Sequence, residues 1–186
     1  MTEPPPRHRL PGDPPPADEI ARMLRVDHAG EYGATRIYQG QLDVLGLARG
    51  RSAAAIRQMA EAENRHLARF EALLRERRVR PTFLQPLWSV AGYAVGAATA
   101  LLGERAAMAC TVAVEEVIDE HYRAQAERLA EEDPALRETI LAFRDDELAH
   151  RNVALTHGAA ESPGYDVISA LVKTGSRIAI WLSTRL

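Results

Sequence analysis

The chain has 186 residues, which is enough for one domain with a substantial core but too few for two typical domains. Its 23 basic and 26 acidic residues give a formal net charge of -3, which excludes the basic footprint of a nucleic-acid-binding protein. The single cysteine, Cys110, excludes an internal disulfide framework and a four-cysteine metal site. The low aromatic content of 5% favours helices over sheet.

The first segment, residues 1–19, is rich in proline and polar residues. It has neither the apolar stretch of a signal peptide nor the arginine-rich, acid-poor pattern of a transit peptide. We therefore predict a disordered tail at 1–19, a single folded domain at 20–186, and a bacterial cytoplasmic setting.

Apolar residues then recur at helical intervals in several segments. The first helix is predicted from Ala17 to about Leu47, and the second from Ser52 through Leu73. A third is predicted from about Glu104 to Glu131, and a fourth from Pro134 to about His157. Ser162-Pro163 combines a capping side chain with a proline at the first helical position, which predicts the start of a C-terminal helix.

The predicted helices carry a pattern of ligand-type residues that occurs twice. The pattern is Glu31, Glu63 and His66, repeated 84 residues later as Glu115, Glu147 and His150. Each Glu-x-x-His places a carboxylate and an imidazole on one face of a helix. Two such pairs, with one glutamate from each of two further helices, are the ligand set of ferritin-like di-iron or di-manganese bundles. The repeat therefore predicts an all-α ferritin-like four-helix bundle that binds two metal ions, with iron or manganese favoured over zinc or copper.

The same shift of 84 also maps Tyr38 onto Tyr122 and Gln41 onto Gln125, so the repeat extends beyond the ligands. Each tyrosine lies about two turns from a ligand glutamate on the same helix face. The tyrosines could therefore hydrogen-bond ligand carboxylates or relay an electron, or they could simply fill the core. Glu116 is not part of the repeated pattern. It is adjacent to Glu115, and its side chain therefore points about 100° away on a helix.

Two further predictions concern groups near the ligands. Asp146 is the nearest candidate to accept the second ring N–H of a ligand imidazole, since such imidazoles usually donate to a carboxylate or a carbonyl. By contrast, His28, His121 and His157 have no histidine counterpart in the repeat. We expect these three to be exposed or hydrogen-bonded side chains that bind no metal.

Between the two halves, the stretch from Pro81 to Gly103 contains no charged residue and is long enough for a transmembrane helix. A span here would put the two ligand triplets on opposite sides of the bilayer, so we predict a hydrophobic crossover helix instead. Two arrangements stay open. The helix is either buried against the bundle or, as we favour, it lies in the membrane interface with Trp88 and Tyr93 at headgroup depth.

Several strings identify a family resemblance: LRVDHAGEYGA at 24–34, RPT at 80–82, PLW at 86–88, AMACTVAVEE at 107–116 and FRDDELAH at 143–150. With these strings the chain resembles the demethoxyubiquinone hydroxylases over about residues 20–186. The resemblance implies an O2-dependent di-iron monooxygenase that hydroxylates the ring of a polyprenylated demethoxy-quinone or demethoxy-quinol, a late step of ubiquinone biosynthesis. The family's metal ligands then fall on the same six residues that the repeat selects.

The resemblance also implies partners and a location. Electrons would come from NADH or a partner reductase, because the chain has no flavin or nicotinamide fingerprint. We expect peripheral binding to the cytoplasmic side of a bacterial inner membrane, a substrate entrance near Leu87, Trp88 and Tyr93, and contacts with accessory proteins of ubiquinone biosynthesis.

By analogy with related bundles, Glu63 and Glu147 would bridge the two metals, Glu31 and Glu115 would bind terminally, and each histidine would bind one metal. Two alternatives stay open, a membrane-associated ferritin-like oxidase and a non-catalytic scaffold of quinone synthesis. A rubrerythrin is disfavoured, because its additional iron site requires four cysteines.

Overall fold

The structure, a computed structural model, describes residues 16–46 and 51–186, and the elements within these ranges are all helical. In chain order they are α1 (Pro16–Leu45), α2 (Arg51–Glu76), α3 (Gln85–Leu101), α4 (Glu104–Glu132), α5 (Pro134–Thr156) and α6 (Tyr165–Arg185). A short 3-10 turn, Ala159–Glu161, precedes α6. The predicted all-α fold is confirmed.

Helices α1, α2, α4 and α5 form a four-helix bundle in which α1 pairs with α2 and α4 pairs with α5. Two apolar clusters fill its two ends. One contains Leu24, Phe70 and Ile140, and the other contains Ile56 and Met108, all of which are fully buried. The repeated ligand residues fall between these clusters along the helices, so the bundle buries them from both ends.

Two boundaries differ from the sequence-based expectation. Residues 1–15 of the predicted tail lie outside the described residues, but residues 16–19 form the first turn of α1 and do not belong to a tail. Helix α6 begins at Tyr165 and not directly after Ser162-Pro163. Its N-cap is Gly164 with a φ of 73°, because the 3-10 turn and this left-handed glycine come between the proline and the helix. Asp133 caps the start of α5, since its carboxylate accepts the backbone N–H of Leu136 at 3.0 Å.

The crossover α3 lies along α1 outside the bundle, and glycines let the two backbones touch. A Cβ atom added at Gly92 would lie 2.8 Å from the carbonyl oxygen of Gly33, and one added at Gly96 would overlap the backbone of Ile37. The opposite face of α3 remains exposed, with Val90 at 70% of its maximal accessibility. The alternative in which α3 is wholly buried is therefore wrong. Helix α3 touches the backbone of α1 at Gly92 and Gly96, a contact that we call the glycine seam.

Helix α6 lies beside α4 and also contacts α1, so α3 and α6 cover the same side of the bundle. The two covering helices are joined where the Trp88 indole N–H donates to the Ser183 hydroxyl at 3.0 Å. Among the residues described, none of the helices combines the length and apolar character that crossing a bilayer requires. The predicted crossover helix is present as α3, packed against one face of the bundle.

The glycine seam predicts a clear stability difference between two Gly→Ala substitutions. Gly96→Ala should lower the free energy of unfolding by about 1–3 kcal/mol, because the added methyl group forces α3 away from α1. Gly175→Ala is the matched control, since no atom lies within 4 Å of its added Cβ. That substitution should raise stability by about 0.5–1 kcal/mol, as alanine does in a helix interior. Urea unfolding of both variants measures the difference, and equal effects would contradict the seam.

Candidate metal centre

All six residues of the repeated pattern converge inside the bundle, and each is at most 8% exposed. They form two overlapping groups whose ligand atoms lie within 4.8 Å of one another. The first group is Glu31, Glu63, His66 and Glu147, and the second is Glu63, Glu115, Glu147 and His150. Glu63 and Glu147 belong to both groups.

Both histidines direct the same ring nitrogen at the carboxylates. Nδ1 of His66 lies 3.1 Å from Glu147 Oε1, and Nδ1 of His150 lies 3.1 Å from both Glu147 Oε2 and Glu63 Oε1. Since the two imidazoles contact different oxygens of Glu147, this carboxylate lies between them. Nδ1 is therefore the nitrogen available to a metal ion in both histidines.

Several of these buried carboxylate oxygens have no hydrogen-bond partner among the described residues. They are Glu31 Oε2, Glu63 Oε2 and Glu115 Oε2. A buried polar atom without a partner is destabilising by about 1–3 kcal/mol, and more for a charged group. Divalent cations bound between the carboxylates would satisfy these oxygens, so the residues present fit a two-metal site.

The electrostatics of the site also favour cations. Burial raises the pKa of Glu63 and of Glu115 well above the usual range, and the nearby charge of Glu147 raises both further. Burial likewise raises the pKa of Glu31. Without metal these carboxyl groups therefore retain protons to higher pH than exposed ones. A metal ion would displace those protons and hold the carboxylates in the ionised form that binds it.

Glu147 and His66 form the ion pair of the metal-free site. Burial alone would raise the pKa of Glu147, but hydrogen bonds with His150 and His66 outweigh it and bring the pKa to about 2. Burial would lower the pKa of His66, but its hydrogen bonds with Glu147 and Glu31 raise the pKa to about 10. In the absence of a cation, the protonated imidazole thus compensates part of the negative charge.

The two repeated tyrosines contact the ligand carboxylates of the opposite half. The Tyr38 hydroxyl donates to Glu115 Oε1 at 2.8 Å, and the Tyr122 hydroxyl donates to Glu31. Each therefore fixes one oxygen of a carboxylate and leaves the other directed at the site. Both rings are fully buried, so they fill the core as well.

Comparison with known proteins agrees with this geometry. The profile of the family described as "Ubiquinone biosynthesis protein COQ7" matches residues 18–183. The chain is 54% identical to the 3-demethoxyubiquinol 3-hydroxylase of Rhodospirillum rubrum over 178 residues, covering 96% of this chain and 84% of the relative. This chain belongs to the ubiquinone biosynthesis protein COQ7 family.

Mitochondrial relatives extend the similarity. The chain is 51% identical over 171 residues to the human protein named NADPH-dependent 3-demethoxyubiquinone 3-hydroxylase, covering 90% of this chain and 78% of the relative. It is 41% identical over 182 residues to the 5-demethoxyubiquinone hydroxylase of Saccharomyces cerevisiae, covering 90% and 78%. The resemblance to the demethoxyubiquinone hydroxylases that the sequence strings indicate is therefore confirmed.

Asp146 and Glu116 each lie next to a candidate ligand in the sequence of this COQ7-family chain, but they have different positions in the structure. Asp146 Oδ2 lies 3.0 Å from His66 Nε2, the ring nitrogen directed away from the carboxylates. This contact orients the imidazole and fixes which nitrogen faces the site. Glu116 points away from the site, as the repeat predicts, and forms an ion pair with Lys173 of α6 at 2.5 Å.

This COQ7-family chain has a cavity between the bundle and the covering helices, beside the segment for which a substrate entrance is predicted. It has a volume of about 590 Å³ and reaches Glu31 and Tyr122. Of the predicted entrance residues, Trp88 lines it, whereas Leu87 is exposed and the Tyr93 hydroxyl donates to Asp43 at 3.0 Å. No local sequence pattern marks the cavity, because its walls come from α1, α3, α4 and α6 together.

Two polar residues of the cavity wall were also missed as functional candidates. His121, expected to be exposed or hydrogen-bonded, has its Nε2 atom 3.1 Å from Asp27 Oδ1. Burial raises the pKa of Asp27, although the hydrogen bond and charge of His121 and the Gln125 amide oppose the shift. The sequence gives no signal for this pair, because most positions, including Thr111 and Ile37 opposite Asp27 and His121, differ between the two halves of the repeat.

We predict that Glu115→Ala lowers the metal bound per chain, because it removes one of the six candidate ligands and leaves Tyr38 without its acceptor. Loss of a ligand should cost at least about tenfold in metal affinity. The adjacent Glu116→Ala is the matched control, since that side chain pairs with Lys173 at the surface, and it should leave iron binding unchanged. Metal analysis of both purified variants tests the assignment of the six ligands. That assignment would be wrong if Glu115→Ala kept full iron occupancy.

We also predict that the metal-free protein loses stability as pH rises from about 5 to about 9. Glu63 and Glu115 have folded-state pKa values above their unfolded values, so their contribution is lost as pH rises through the folded pKa. His66, with a pKa of about 10, acts in the same direction above about 6.5. The lowered pKa of Glu147 matters only under more acidic conditions.

Urea unfolding across this pH range, with chelator or with anaerobic Fe2+, measures the effect. Bound metal should reduce the pH dependence, since it holds the carboxylates ionised. A metal-free protein whose stability rose with pH would contradict the assignment.

Proposed function

We propose that this chain uses two iron ions and O2 to hydroxylate the ring of a polyprenylated demethoxyubiquinone or demethoxyubiquinol, a late step of ubiquinone biosynthesis. The observation that carries the proposal is the apolar cavity that leads to Glu31, one of the six candidate ligands. The names of the relatives, which are demethoxyubiquinol or demethoxyubiquinone hydroxylases, support the same substrate class.

The cavity suits an apolar molecule with a ring at one end. Its walls are mostly aliphatic, including Val95, Val117 and Val172. Leu102 and Leu171 line it and are also 72% and 70% exposed, so they mark its mouth between α3 and α6. An isoprenoid tail can pass through this mouth while the ring lies at the inner end, beside Tyr122.

When bound, an iron pair would supply the activation of O2 and the electrons for inserting one oxygen atom into the ring. The six ligands would hold the pair, with Glu63 and Glu147 as the proposed bridges. Tyr38, Tyr122 and Asp146 would hold the ligands in orientation through the hydrogen bonds described above. The aliphatic walls exclude water from the reacting ring.

The electrons would come from a nicotinamide nucleotide or from a partner reductase. Several relatives are named as NADPH-dependent, which supports the first source. No nicotinamide-binding fingerprint is present in the sequence. Comparing NADPH, NADH and neither in a hydroxylation assay would separate direct reduction from reduction by a partner.

We also propose that the covering helices bind the membrane surface. Large apolar side chains at least 50% exposed occur on α3 and α6 and directly beside α3, namely Phe83, Leu87, Val90, Leu101, Leu102, Val167, Leu171, Ile178 and Trp181. A large exposed apolar surface of this kind marks an interaction site with a membrane or another protein. The Arg185 guanidinium lies 4.2 Å from the Trp181 ring centroid, a pair suited to headgroup depth.

Deletion of the gene for this chain should cause a demethoxy-quinone to accumulate, and lipid extracts analysed by mass spectrometry would detect it. Wild type and Glu116→Ala should restore the hydroxylated product, whereas Glu147→Ala should not, since it removes a proposed bridge. A ferritin-like oxidase would leave the quinone pool unchanged on deletion. A non-catalytic scaffold would be indicated if Glu147→Ala restored the product.

The membrane proposal predicts that Leu87→Asp with Val90→Asp releases the protein from vesicles while its bound iron is unchanged. Both residues are exposed on α3 and neither lines the cavity. Ala54→Asp with Gln58→Asp adds the same charge to exposed positions of α2 and should leave vesicle binding intact. Co-sedimentation with anionic vesicles measures both, and equal partitioning of the two double variants would refute the proposed membrane face.

A further inference from the structure

The side of the bundle opposite the cavity brings solvent close to the candidate ligands. Helices α3 and α6 pack chiefly on α1 and α4, so within residues 16–46 and 51–186 no helix covers the side formed by α2 and α5. These two helices carry both Glu-x-x-His pairs and approach each other at only a few residues. His150 of α5 is the most exposed of the six candidate ligands, at 8%. The site is thus nearest to solvent on the α2 and α5 side.

Asp146 of α5 connects this surface with the interior. Its side chain is 56% exposed, whereas the His66 side chain that it contacts is only 2% exposed. Asp146 Oδ2 lies 3.0 Å from His66 Nε2. On the other edge of the same ring, Nδ1 lies 3.1 Å from Glu147 Oε1. A single imidazole ring therefore separates a solvent-exposed carboxylate from the buried carboxylates of the site.

The cavity on the other side of the bundle is an unfavourable route for a metal ion. Leu102 and Leu171 mark its mouth, and aliphatic side chains such as Val95 and Val172 follow inside. A divalent cation is strongly hydrated, and an apolar passage would remove its water without supplying oxygen ligands in exchange. In the proposed function the same mouth also faces a membrane. Metal ions therefore need a different route to the ligands.

The buried carboxylates are arranged to draw a cation inwards from Asp146. Glu31 Oε2, Glu63 Oε2 and Glu115 Oε2 are buried without a hydrogen-bond partner among the described residues. Several carboxylate oxygens that converge on one point bind a divalent cation more strongly than one exposed carboxylate does. The affinity for a cation therefore rises along the path from Asp146 to the site.

We propose that Asp146 is the entry residue for the metal ions: a divalent cation first binds its carboxylate and then passes His66 to reach the buried carboxylates. This inference rests on the two-metal site of the proposed function and assigns the route by which that site is filled. Rotation of the His66 side chain opens the path without movement of a helix. Phe143, which stacks on this ring with centroids 4.0 Å apart, is only half-buried and can move with it. Metal and substrate thus enter from opposite sides of the bundle.

The rate at which the metal-free protein takes up Fe2+ tests this route. Fe2+ is mixed with the protein under argon, and a colorimetric chelator measures the iron that is still free at successive times. Asp146→Asn should take up Fe2+ at least about tenfold more slowly than wild type, because it removes the first charge on the path. Asp145→Asn is the matched control, since it removes the same charge from an exposed position that points about 100° away. Its uptake rate should lie within about twofold of wild type.

Release of bound iron separates an entry role from a positioning role. The asparagine oxygen can still accept a hydrogen bond from His66 Nε2, so Asp146→Asn keeps the orientation of the ring. An entry residue lies on the path in both directions, and the variant should therefore also release iron to excess chelator more slowly. If Asp146 only positioned His66, uptake would be unchanged and release would be faster in the variant, and this result overturns the inference. Added salt should slow uptake by wild type more than by Asp146→Asn, since salt screens the exposed charge.

A variant at the cavity mouth tests the opposite route. Leu171→Trp narrows the mouth from an exposed position of α6 and should leave the rate of Fe2+ uptake as in wild type. The inference is overturned if Asp146→Asn takes up iron at the wild-type rate, or if Leu171→Trp or Asp145→Asn slows uptake as much as Asp146→Asn does. These results would leave the hydroxylase proposal intact. A wild-type protein that binds no Fe2+ would overturn both.

Discussion

Four carboxylates lie within a few ångströms of one another in the interior of a helical bundle, and their mutual repulsion is the constraint on which the rest of the structure depends. Burial of these groups is unfavourable unless cations or protons compensate the charge. The histidines and the tyrosine hydroxyls form hydrogen bonds with these carboxylates and so stabilise them. Asp146 orients His66 in turn. The apolar clusters at both ends of the bundle exclude water, which makes the compensation necessary.

The internal duplication explains why the site is nearly symmetric and why its departures from symmetry are informative. Ligands, tyrosines and glutamines occur in both halves, because each half contributes the same two-helix unit. Most positions differ between the two halves, and three of these differences place an ionisable side chain beside the site or the cavity on one side only. Asp146 has Ala62 as its counterpart, Asp27 has Thr111, and His121 has Ile37. The residues that repeat in both halves form the site, whereas Asp146, Asp27 and His121 make its two sides different.

Much of this arrangement was predictable from the sequence, because it depends on spacing within helices. The ligand frame and the crossover both follow from the repeat and from the uncharged stretch between its halves. Which glutamate each tyrosine contacts was not predictable, since Tyr38 binds Glu115 across the bundle and not Glu31 on its own helix. The start of α6 was missed because Gly164 takes a left-handed conformation after the proline. An entrance near Trp88 was predictable, but the full lining of the cavity was not, because four helices, distant in sequence, form it jointly.

The crossed tyrosine contacts have a consequence for how the protein matures. Tyr38 belongs to the first half and holds a carboxylate of the second, while Tyr122 does the reverse. Neither half can therefore orient its own terminal glutamate before the two halves dock. A metal ion held by ligands from both groups would therefore require both halves to be docked.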